Sequence, residues 1–300
     1  MTDVPYGFDE DDRTRRLLRS RPSAGALAWV ESVLGGQVVA VRALRGGLSS
    51  AMHLVSVATG DTVVLRRYVR FDPSEPDIAA REARALEFVA GLPLPTPELL
   101  ATDLAGTAIG VPMLLMSRLP GRVDWKPSDQ DGWLRRMAEL LPVLHAVPLP
   151  EPGVIRPFET YRQQSYDLPA WARWPAVWER AMELVRDRVL GGDEVFLHRD
   201  FHPGNVLWRR GRVTGVVDWQ SASIGPASVD VGHCRANLLS CGRDAVDRFT
   251  TWWERSSGRR YDPWADLSTI IGWLDGLRDE KPSDGYLAED CLAWAVAELG

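Results

Sequence analysis

The sequence is poor in cysteine and in lysine, and it has no long apolar run. Its three cysteines form no CxxC pair and cannot all be bridged within one chain, which is typical of a protein in a reducing compartment. The longest apolar stretches, such as residues 111–116, are far shorter than the roughly 20 residues of a membrane-spanning helix. The first residues are acidic and arginine-rich instead of apolar, so the sequence predicts no secretory signal and a cytoplasmic location.

The composition that is present is that of an ordinary soluble globular protein. Of the 300 residues, 45% are hydrophobic and 25% are charged, which excludes collagenous, coiled-coil and wholly disordered chains. The formal net charge of −6 disfavours a nucleic-acid or anionic-membrane binder and is compatible with a cationic small molecule. Only Lys126 and Lys281 are lysines among the 35 basic residues, so arginine carries nearly all of the positive charge.

Apolar periodicity and turn residues divide the chain into two parts. In residues 1–119 they predict a charged N-terminal arm, helices at 23–35 and 77–90, and strands at 38–44, 51–58, 62–68, 98–102 and 111–119. In residues 120–300 they predict short strands at 195–197 and within 206–218, and helices at 129–147, 175–190, 229–240, 243–256, 264–277 and 286–299. The sequence therefore predicts an α+β, bilobal fold, with a small antiparallel-sheet N-terminal lobe and a larger helical C-terminal lobe.

The most informative segment is residues 196–207, FLHRDFHPGNVL. A short apolar strand leads to His198 and Asp200, and Asn205 follows the aspartate by five residues, while a second apolar strand ends at Asp218. Phosphoryl transfer uses these residue types, because one carboxylate accepts the proton of the attacking hydroxyl while an amide oxygen and a second carboxylate hold Mg²⁺. The alternative is a polar turn whose side chains satisfy nearby backbone groups.

In its HRDFHPGN and VVDW segments the chain resembles the aminoglycoside phosphotransferases and their choline-kinase-like relatives, over about residues 46–239. The resemblance implies the protein-kinase fold, with residues 1–119 as the nucleotide-binding lobe and residues 120–300 carrying the catalytic loop and the acceptor site. It implies ATP or GTP and Mg²⁺ as cofactors, Asp200 as the catalytic base, and Asn205 and Asp218 as the magnesium ligands.

Two segments are expected to hold the nucleotide. Residues 45–50, RGGLSS, join two predicted strands, and their adjacent glycines let backbone amides approach phosphate oxygens, although a plain hairpin is the alternative. In the family, the segment that matches residues 117–119 offers its backbone to the adenine edge, and a plain edge strand is the alternative. The expected contacts are Gly46, Gly47, Ser49, Ser50, Ser117 and Leu119.

The third strand departs from the family pattern. Family members commonly place a lysine there, paired with a helix glutamate, to hold the α- and β-phosphates, whereas this chain has Arg66. Arginine keeps the charge and can grip a phosphate with two N–H groups. Its predicted partner is Glu82, which shares a helix face with Ile78 and Leu86 and would be costly there unless it is paired. A solvated Arg66 beside a peripheral Glu82 is the alternative.

Two groups of residues are candidates for contacts with the acceptor, and each has an ordinary alternative as core or solvent-facing residues. One is an aromatic segment that comprises Tyr161, Tyr166, Trp171, Trp174 and Trp178. The other is an acidic group that could attract amines, and it comprises Asp275, Asp279, Glu280, Asp284, Glu289 and Asp290.

The resemblance implies an ATP-dependent kinase that moves the γ-phosphate to a hydroxyl of a small molecule, with an aminoglycoside-type antibiotic, and hence antibiotic resistance, as the leading interpretation. Macrolides, choline, fructosamines and homoserine-like metabolites are alternatives, because the motifs do not separate these acceptors. A nucleotide-binding protein without activity is a further alternative, suggested by the missing lysine. The complete set of Asp200, Asn205 and Asp218 favours the enzyme, and Asp230 matches a family aspartate that braces the catalytic loop.

Overall fold

The computed structural model describes residues 16–44, 50–70, 75–160, 165–187, 190–278 and 283–300. The chain forms two compact units, each of which is described by itself. Over the described residues, the N-terminal unit comprises residues 16–121 and 214–221, and the C-terminal unit comprises residues 122–213 and 222–300. The short segment 214–221 therefore packs with a unit that is distant from it in sequence.

The N-terminal unit is built on a five-stranded antiparallel sheet. Its strands are β1 (Val38–Ala43), β2 (Ala51–Val57), β3 (Thr62–Arg67), β4 (Leu99–Asp103) and β5 (Met113–Ser117). They lie in the order β1-β2-β3-β5-β4, and each neighbouring pair is antiparallel. β3 is consequently the central strand of the sheet, and its two edges are hydrogen-bonded to β2 and β5.

Two helices, α1 (Ala24–Leu34) and α2 (Ile78–Val89), pack in this unit. α1 begins where the Ser23 hydroxyl accepts a hydrogen bond from the Ala26 N–H, and it ends at Gly35, whose φ of 66° is the left-handed conformation that favours glycine. Ala26 and Val30 of α1 pack in one apolar core with buried sheet residues, which are Val55, Val57, Val63, Leu65, Met113 and Leu115.

The C-terminal unit is mainly helical. Its helices are α3 (Gln130–His145), α4 (Pro175–Asp187), α5 (Ser228–Leu238), α6 (Arg243–Ser257), α7 (Trp264–Gly272), α8 (Leu274–Arg278) and α9 (Ser283–Leu299). Two short strands, β6 (Glu194–Leu197) and β9 (Ser223–Pro226), pair antiparallel. A second pair is formed by β7 (Val206–Arg209) and β8 (Arg212–Val216), where the chain passes from the C-terminal unit into the segment 214–221, and a single 3₁₀ turn at Pro203–Asn205 precedes β7.

Helix α5 lies in the interior of the C-terminal unit, and all eleven of its residues are buried. Several are polar, so they need partners. Arg235 donates to both carboxylate oxygens of Asp266 on α7, at 2.8 and 2.9 Å for its two shortest bonds. A Cβ added to Gly232 would meet the backbone and side chain of Ala265 at 2.8 Å, so α5 and α7 approach more closely there than any larger residue allows. These contacts fix the position of α5.

The α+β fold class is confirmed, and the predicted strands of the N-terminal lobe match the observed sheet closely. Three details differ in the C-terminal half. The helix predicted at 264–277 is divided at Trp273, next to the weak helix former Gly272. The last helix begins three residues earlier than predicted, and β9, a four-residue strand that contains Gly and Pro, gave no signal. No helix within the described ranges is long and apolar enough to cross a membrane.

His53 on β2 is a buried titratable group in the N-terminal unit. Only 2% of the residue is exposed, and its cross-strand neighbour on β3 is Leu65, two residues before Arg67. Burial first, and then the charge of Arg67, lowers the pKa of His53 to about 4 from an ordinary value of 6.5. The folded protein therefore keeps this imidazole neutral over a range in which the unfolded chain protonates it.

We expect His53 to make the protein sensitive to mild acid. As the pH falls below 6.5 the unfolded chain takes up a proton that the folded chain refuses until about pH 4, so the free energy of unfolding falls through this window, by about 3 kcal/mol at most. Urea unfolding at pH 7.5, 5.5 and 4.5 measures this loss. In His53→Leu the loss should be smaller than in the wild type, and equal losses in both proteins would contradict the assignment.

Candidate active site

The segment that carries Asp200 is held in the C-terminal unit by the buried carboxylate of Asp230. This carboxylate accepts hydrogen bonds from the backbone N–H groups of His198 at 3.0 Å and Arg199 at 2.6 Å, and it contacts His145 Nε2 at 3.0 Å. Arg199 has a φ of 71°, a conformation that costs a non-glycine residue of order 1–3 kcal/mol. The bonds to Asp230 offset this strain, so Asp230 is the brace that the resemblance implies.

Both oxygens of the Asp200 carboxylate are held by donors on other segments. His233 Nε2 lies 2.9 Å from Oδ1, and the Asn205 amide nitrogen donates to Oδ2 at 2.9 Å and to the Asp200 carbonyl oxygen at 2.8 Å. The Asp200 side chain is 26% exposed, so part of the carboxylate is open to solvent. The carboxylate is thus oriented while part of it is accessible.

The surroundings of Asp200 keep it ionised. Burial acts to raise its pKa, but the hydrogen bond from His233 and the nearby imidazoles of His202 and His198 outweigh burial, and the pKa lies well below its usual range. An ionised carboxylate can accept a hydrogen bond from a hydroxyl group. When the hydroxyl oxygen attacks an electrophile, the carboxylate can also accept the hydroxyl proton. The group is therefore suited to orient a hydroxyl nucleophile.

Asn205 lies at the end of the 3₁₀ turn, where the chain is tightly packed. His202 Nδ1 accepts a hydrogen bond from the Gly204 N–H at 3.1 Å, and a Cβ on Gly204 would come within 2.5 Å of the His202 ring. A side chain at 204 would therefore have to displace the His202 ring, which lies beside the turn that carries Asn205. Both hydrogen bonds from Asn205 to Asp200 use the amide nitrogen, which leaves the amide oxygen, a hard donor that suits Mg²⁺, out of these bonds.

In the N-terminal unit, a buried guanidinium gathers four polar partners. Arg66, at the end of β3, is 1% exposed. Nη1 lies 2.7 Å from Glu82 Oε1 and 2.9 Å from Asp218 Oδ1. Nη2 donates to Gln220 Oε1 at 3.1 Å, and Nε donates to the Ser50 hydroxyl at 2.7 Å. The predicted pair of Arg66 and Glu82 is therefore present, within a larger network that the sequence did not predict.

The charges in this network support one another. Burial acts to lower the pKa of Arg66, but the carboxylates of Asp218 and Glu82 outweigh it, so the pKa is raised and the guanidinium is charged. Burial raises the pKa of Glu82, and Arg66 opposes this shift. The Tyr68 hydroxyl donates to Glu82 Oε2, so both Glu82 oxygens have partners. Glu82 can consequently interrupt the apolar face of α2.

Asp218 follows β8, in the segment that packs with the N-terminal unit. Its φ of 70° is unusual for a residue other than glycine, and the ion pair with Arg66 and the 3₁₀ turn at Trp219–Ser221, which packs on α2, fix it. The side chain is 23% exposed, so the carboxylate has an accessible part. Its oxygens suit a hard cation, as the amide oxygen of Asn205 does.

No group of three or more His, Cys, Asp and Glu side chains among the described residues is arranged to hold a metal ion. Mg²⁺ usually binds proteins through one or two oxygen ligands, with water and nucleotide phosphates completing its coordination. Taken singly, the amide oxygen of Asn205 and the carboxylate of Asp218 are oxygen ligands of the kind that Mg²⁺ takes.

The other predicted nucleotide contacts are only partly described. Gly46, Gly47 and Ser49 lie outside the described residues. Ser117 ends β5, where its N–H donates to the Glu98 carbonyl at 2.8 Å and its hydroxyl accepts from the Glu98 N–H at 2.8 Å. The sheet therefore occupies the Ser117 amide, and Leu119, which is half-buried, lies just beyond the strand.

The aromatic and acidic candidate groups meet in one cluster of the C-terminal unit. Arg173 pairs with Glu289 at 2.7 Å and with Asp290 at 2.5 Å, and its guanidinium lies over the Trp174 ring. The Trp178 indole donates to the fully buried Glu289 at 3.0 Å. Two of the acidic residues therefore share one internal cation, which offsets one of their two negative charges. Tyr161, Asp279 and Glu280 lie outside the described residues, and the side chain of Asp284 is not described either.

Sequence reasoning missed His233 and Gln220 as members of the site. Their only signals are positional, because His233 comes three residues after Asp230, one helical turn along α5, and Gln220 comes two residues after Asp218.

The model of one protein family, the phosphotransferase enzyme family APH, matches residues 40–264. The uncharacterised protein YcbJ of Bacillus subtilis is 31% identical over 234 residues, which cover 71% of this chain and 73% of YcbJ. An N-acetylmuramate/N-acetylglucosamine kinase of Pseudomonas putida is 30% identical over 105 residues, and the match spans 35% of this chain and about a quarter (26%) of that kinase.

Among solved structures, a thermostable mutant of aminoglycoside phosphotransferase APH(4)-Ia in a ternary complex with ADP and hygromycin B has a similar fold. The TM-score is 0.64 at 19% identity, and the alignment covers 90% of this chain and 97% of that one. The predicted kinase-like fold and the predicted phosphotransferase resemblance are thereby confirmed. Since the family model matches three quarters of the sequence, including the segments around Asp200 and Asp218, the chain belongs to the phosphotransferase enzyme family.

Proposed function

We propose that this phosphotransferase moves the γ-phosphate of ATP to a hydroxyl group of a small molecule, with Asp200 as the catalytic base. The observation that carries the proposal is the state of Asp200, an ionised, partly exposed carboxylate whose two oxygens are each held by one donor. A plain polar turn would not need a strained Arg199 and a buried Asp230 to present this carboxylate.

In the proposed reaction, the acceptor hydroxyl donates a hydrogen bond to Asp200. The hydroxyl oxygen of the acceptor forms a bond to the γ-phosphorus while the bond between that phosphorus and the β–γ bridging oxygen breaks, which releases ADP. The hydroxyl proton passes to Asp200. Asn205 and Asp218 would hold Mg²⁺ through oxygen atoms, and the cation would supply positive charge beside the phosphate oxygens.

We assign the nucleotide contacts to the N-terminal unit. Arg66, which is paired with Glu82, supplies the positive charge that a lysine supplies in other family members. Its Nε donates a hydrogen bond to the Ser50 hydroxyl, which fixes the orientation of the guanidinium. Gly46, Gly47 and Ser49 would offer amides and a hydroxyl to the phosphates. Because the Ser117 N–H is bonded within the sheet, we assign the adenine contact of the segment to its carbonyl group and to the Leu119 backbone. No side chain of this segment identifies ATP over GTP.

An aminoglycoside-type antibiotic is the leading acceptor in this proposal. It is supported by the fold shared with the hygromycin B complex of an aminoglycoside phosphotransferase. A neutral or anionic amino sugar is the second candidate. Two observations favour it, namely the partial match to an N-acetylmuramate/N-acetylglucosamine kinase and the pairing of Glu289 and Asp290 with Arg173, which weakens the attraction for a polyamine.

The experiment that tests the function is ADP release from Mg-ATP in the presence of single acceptors. The panel comprises hygromycin B, a macrolide, choline, N-acetylglucosamine and N-acetylmuramate, with a reaction without acceptor as the baseline. Acceptor-dependent ADP release and a product heavier by one phosphoryl group support the kinase. ATP binding without release for any acceptor would favour the non-catalytic nucleotide-binding protein.

We expect Asp200→Asn to lower kcat by a factor of about 10² to 10⁴, since it removes the base that receives the hydroxyl proton. Binding of ATP should change little and the melting temperature should fall only modestly, because the amide has the shape of the carboxylate and keeps one of its two side-chain hydrogen bonds. Asp193→Asn, at a side chain that is 88% exposed, is the matched control. Full activity of Asp200→Asn would remove this residue from the role of base.

Asn205→Ala and Asp218→Asn should each raise the magnesium concentration needed for half-maximal turnover, because each removes or weakens an oxygen ligand of the cation. The measurements are turnover and ATP binding across a magnesium titration, with Asp244→Asn, an exposed aspartate of α6, as the control. If both variants keep the wild-type magnesium dependence, the ligand assignment is wrong.

Arg66→Lys should raise the KM for ATP and lower kcat, although the charge is retained. Lysine can replace the contact with Glu82 but cannot donate at once to Ser50, Gln220 and Asp218. Arg84→Lys on the exposed face of α2 controls for the exchange itself. Gln220→Ala, which removes one partner and leaves the charge in place, should show a weaker effect of the same kind. Wild-type kinetics in Arg66→Lys would show that the guanidinium fork has no role.

A further inference from the structure

We propose that His233 is a positioning residue of the phosphoryl transfer, which holds the Asp200 carboxylate at the angle that an acceptor hydroxyl must meet. The proposal rests on the proposed function of Asp200. None of the sequence motifs includes His233, which lies 28 residues after Asn205, on a different element.

Helix α5 contacts the segment that carries Asp200 at both its backbone and its side chain. Asp230 and His233 are three residues apart and so lie on one face of the helix. Asp230 accepts the backbone N–H groups of His198 and Arg199, whereas His233 reaches the side chain of Asp200 at 2.9 Å. One rigid helix therefore sets both the path of the loop and the direction of its carboxylate.

The His233 ring has little freedom to move. It is 5% exposed, and its edge or face contacts the rings of Trp273 at 5.5 Å and His202 at 5.9 Å between centroids. The close approach of Gly232 to Ala265 fixes the backbone one residue earlier. Because the ring is held by these contacts, the direction of a hydrogen bond from Nε2 is fixed, and the bond orients the Asp200 carboxylate.

The hydrogen bonding of the ring indicates what it does. The ring nitrogen that faces Asp200 is Nε2, which lies 2.9 Å from Oδ1, within hydrogen-bond distance of that oxygen. Nδ1 is buried, and no group in the described ranges forms a hydrogen bond with it. The nitrogen that the fold places against the candidate base is therefore Nε2.

The consequence for Asp200 is a fixed carboxylate plane. The Asn205 amide holds Oδ2 and His233 holds Oδ1, so two donors on different elements define the rotation of the group. Without His233, Asn205 is the remaining hydrogen-bond donor to the carboxylate, because His202 Nε2 lies 3.9 Å from Oδ1, and the group can rotate about its terminal bond. Reactive geometry is sensitive to such shifts, because a misplacement of about 1 Å can cost on the order of 10²-fold in rate.

The test compares two substitutions of similar size. His233→Met removes the donor, and His233→Gln places an amide N–H near the position of Nε2. We expect His233→Met to lower kcat by about 10- to 100-fold with little change in the KM for ATP, and His233→Gln to recover much of the loss. Equal losses in both variants, or wild-type kcat in His233→Met, would overturn the proposal.

A double substitution separates positioning from general damage to the fold. If His233 acts through Asp200, adding His233→Met to Asp200→Asn should change the residual rate by less than about twofold, because residues that act as a unit are not additive. A further loss as large as that of the single variant would mean that His233 acts independently of Asp200.

A measurement without turnover keeps this proposal distinct from the proposed function. The chain has only five histidines, so nitrogen-15 NMR of the imidazoles can be assigned with single His→Gln variants. We expect His233 in the Nε2–H form, with an Nε2 proton that is lost from the spectrum in Asp200→Ala. An Nδ1–H form would overturn the proposal, whereas a panel without any acceptor-dependent ADP release would overturn the function alone.

Discussion

A guanidinium buried away from water has to be surrounded by acceptors, and the N-terminal unit is arranged around this requirement at Arg66. Two carboxylates, an amide oxygen and a hydroxyl surround the charge, and they come from the residue before β2, from α2 and from the segment that follows β8. Losing one partner of a buried ion pair typically costs about 3–5 kcal/mol, so these segments are bound together by the charge that they share. The arginine is therefore a structural centre of the unit as well as the expected phosphate ligand.

The C-terminal unit meets the opposite requirement in the same way. Its buried charge is the anion of Asp230, and its partners are donors, namely two backbone N–H groups and the ring of His145. Burial acts to raise the pKa of Asp230, and the hydrogen bond from His145 leads the effects that lower it. In each unit a buried charged residue thus helps to hold a partly exposed carboxylate. In the N-terminal unit Arg66 pairs with Asp218, and in the C-terminal unit Asp230 binds the segment that carries Asp200.

Local patterns account for what could be predicted. Alternation along a strand and the spacing of a helix face indicate the pairing of Arg66 with Glu82, because each rule concerns a few neighbouring residues. The contact of Arg66 with Asp218 joins residues 152 positions apart, and no periodicity states which distant segments meet. The same limit concealed His233, since the polar residues of α5 look like an exposed face until packing shows that all of them are buried.

Asp230 and His233 are one helical turn apart, so their spatial arrangement corresponds to a short sequence motif that can be searched for in other sequences. In this chain the pair is written DVGH, and the glycine is required by the contact with Ala265. A relative that has the aspartate but lacks the histidine would brace its loop and leave the carboxylate to its asparagine alone. The presence or absence of the motif D-x-G-H would therefore divide family members into those with and those without a histidine that binds the carboxylate of the base. This division would not depend on the acceptor that each protein modifies.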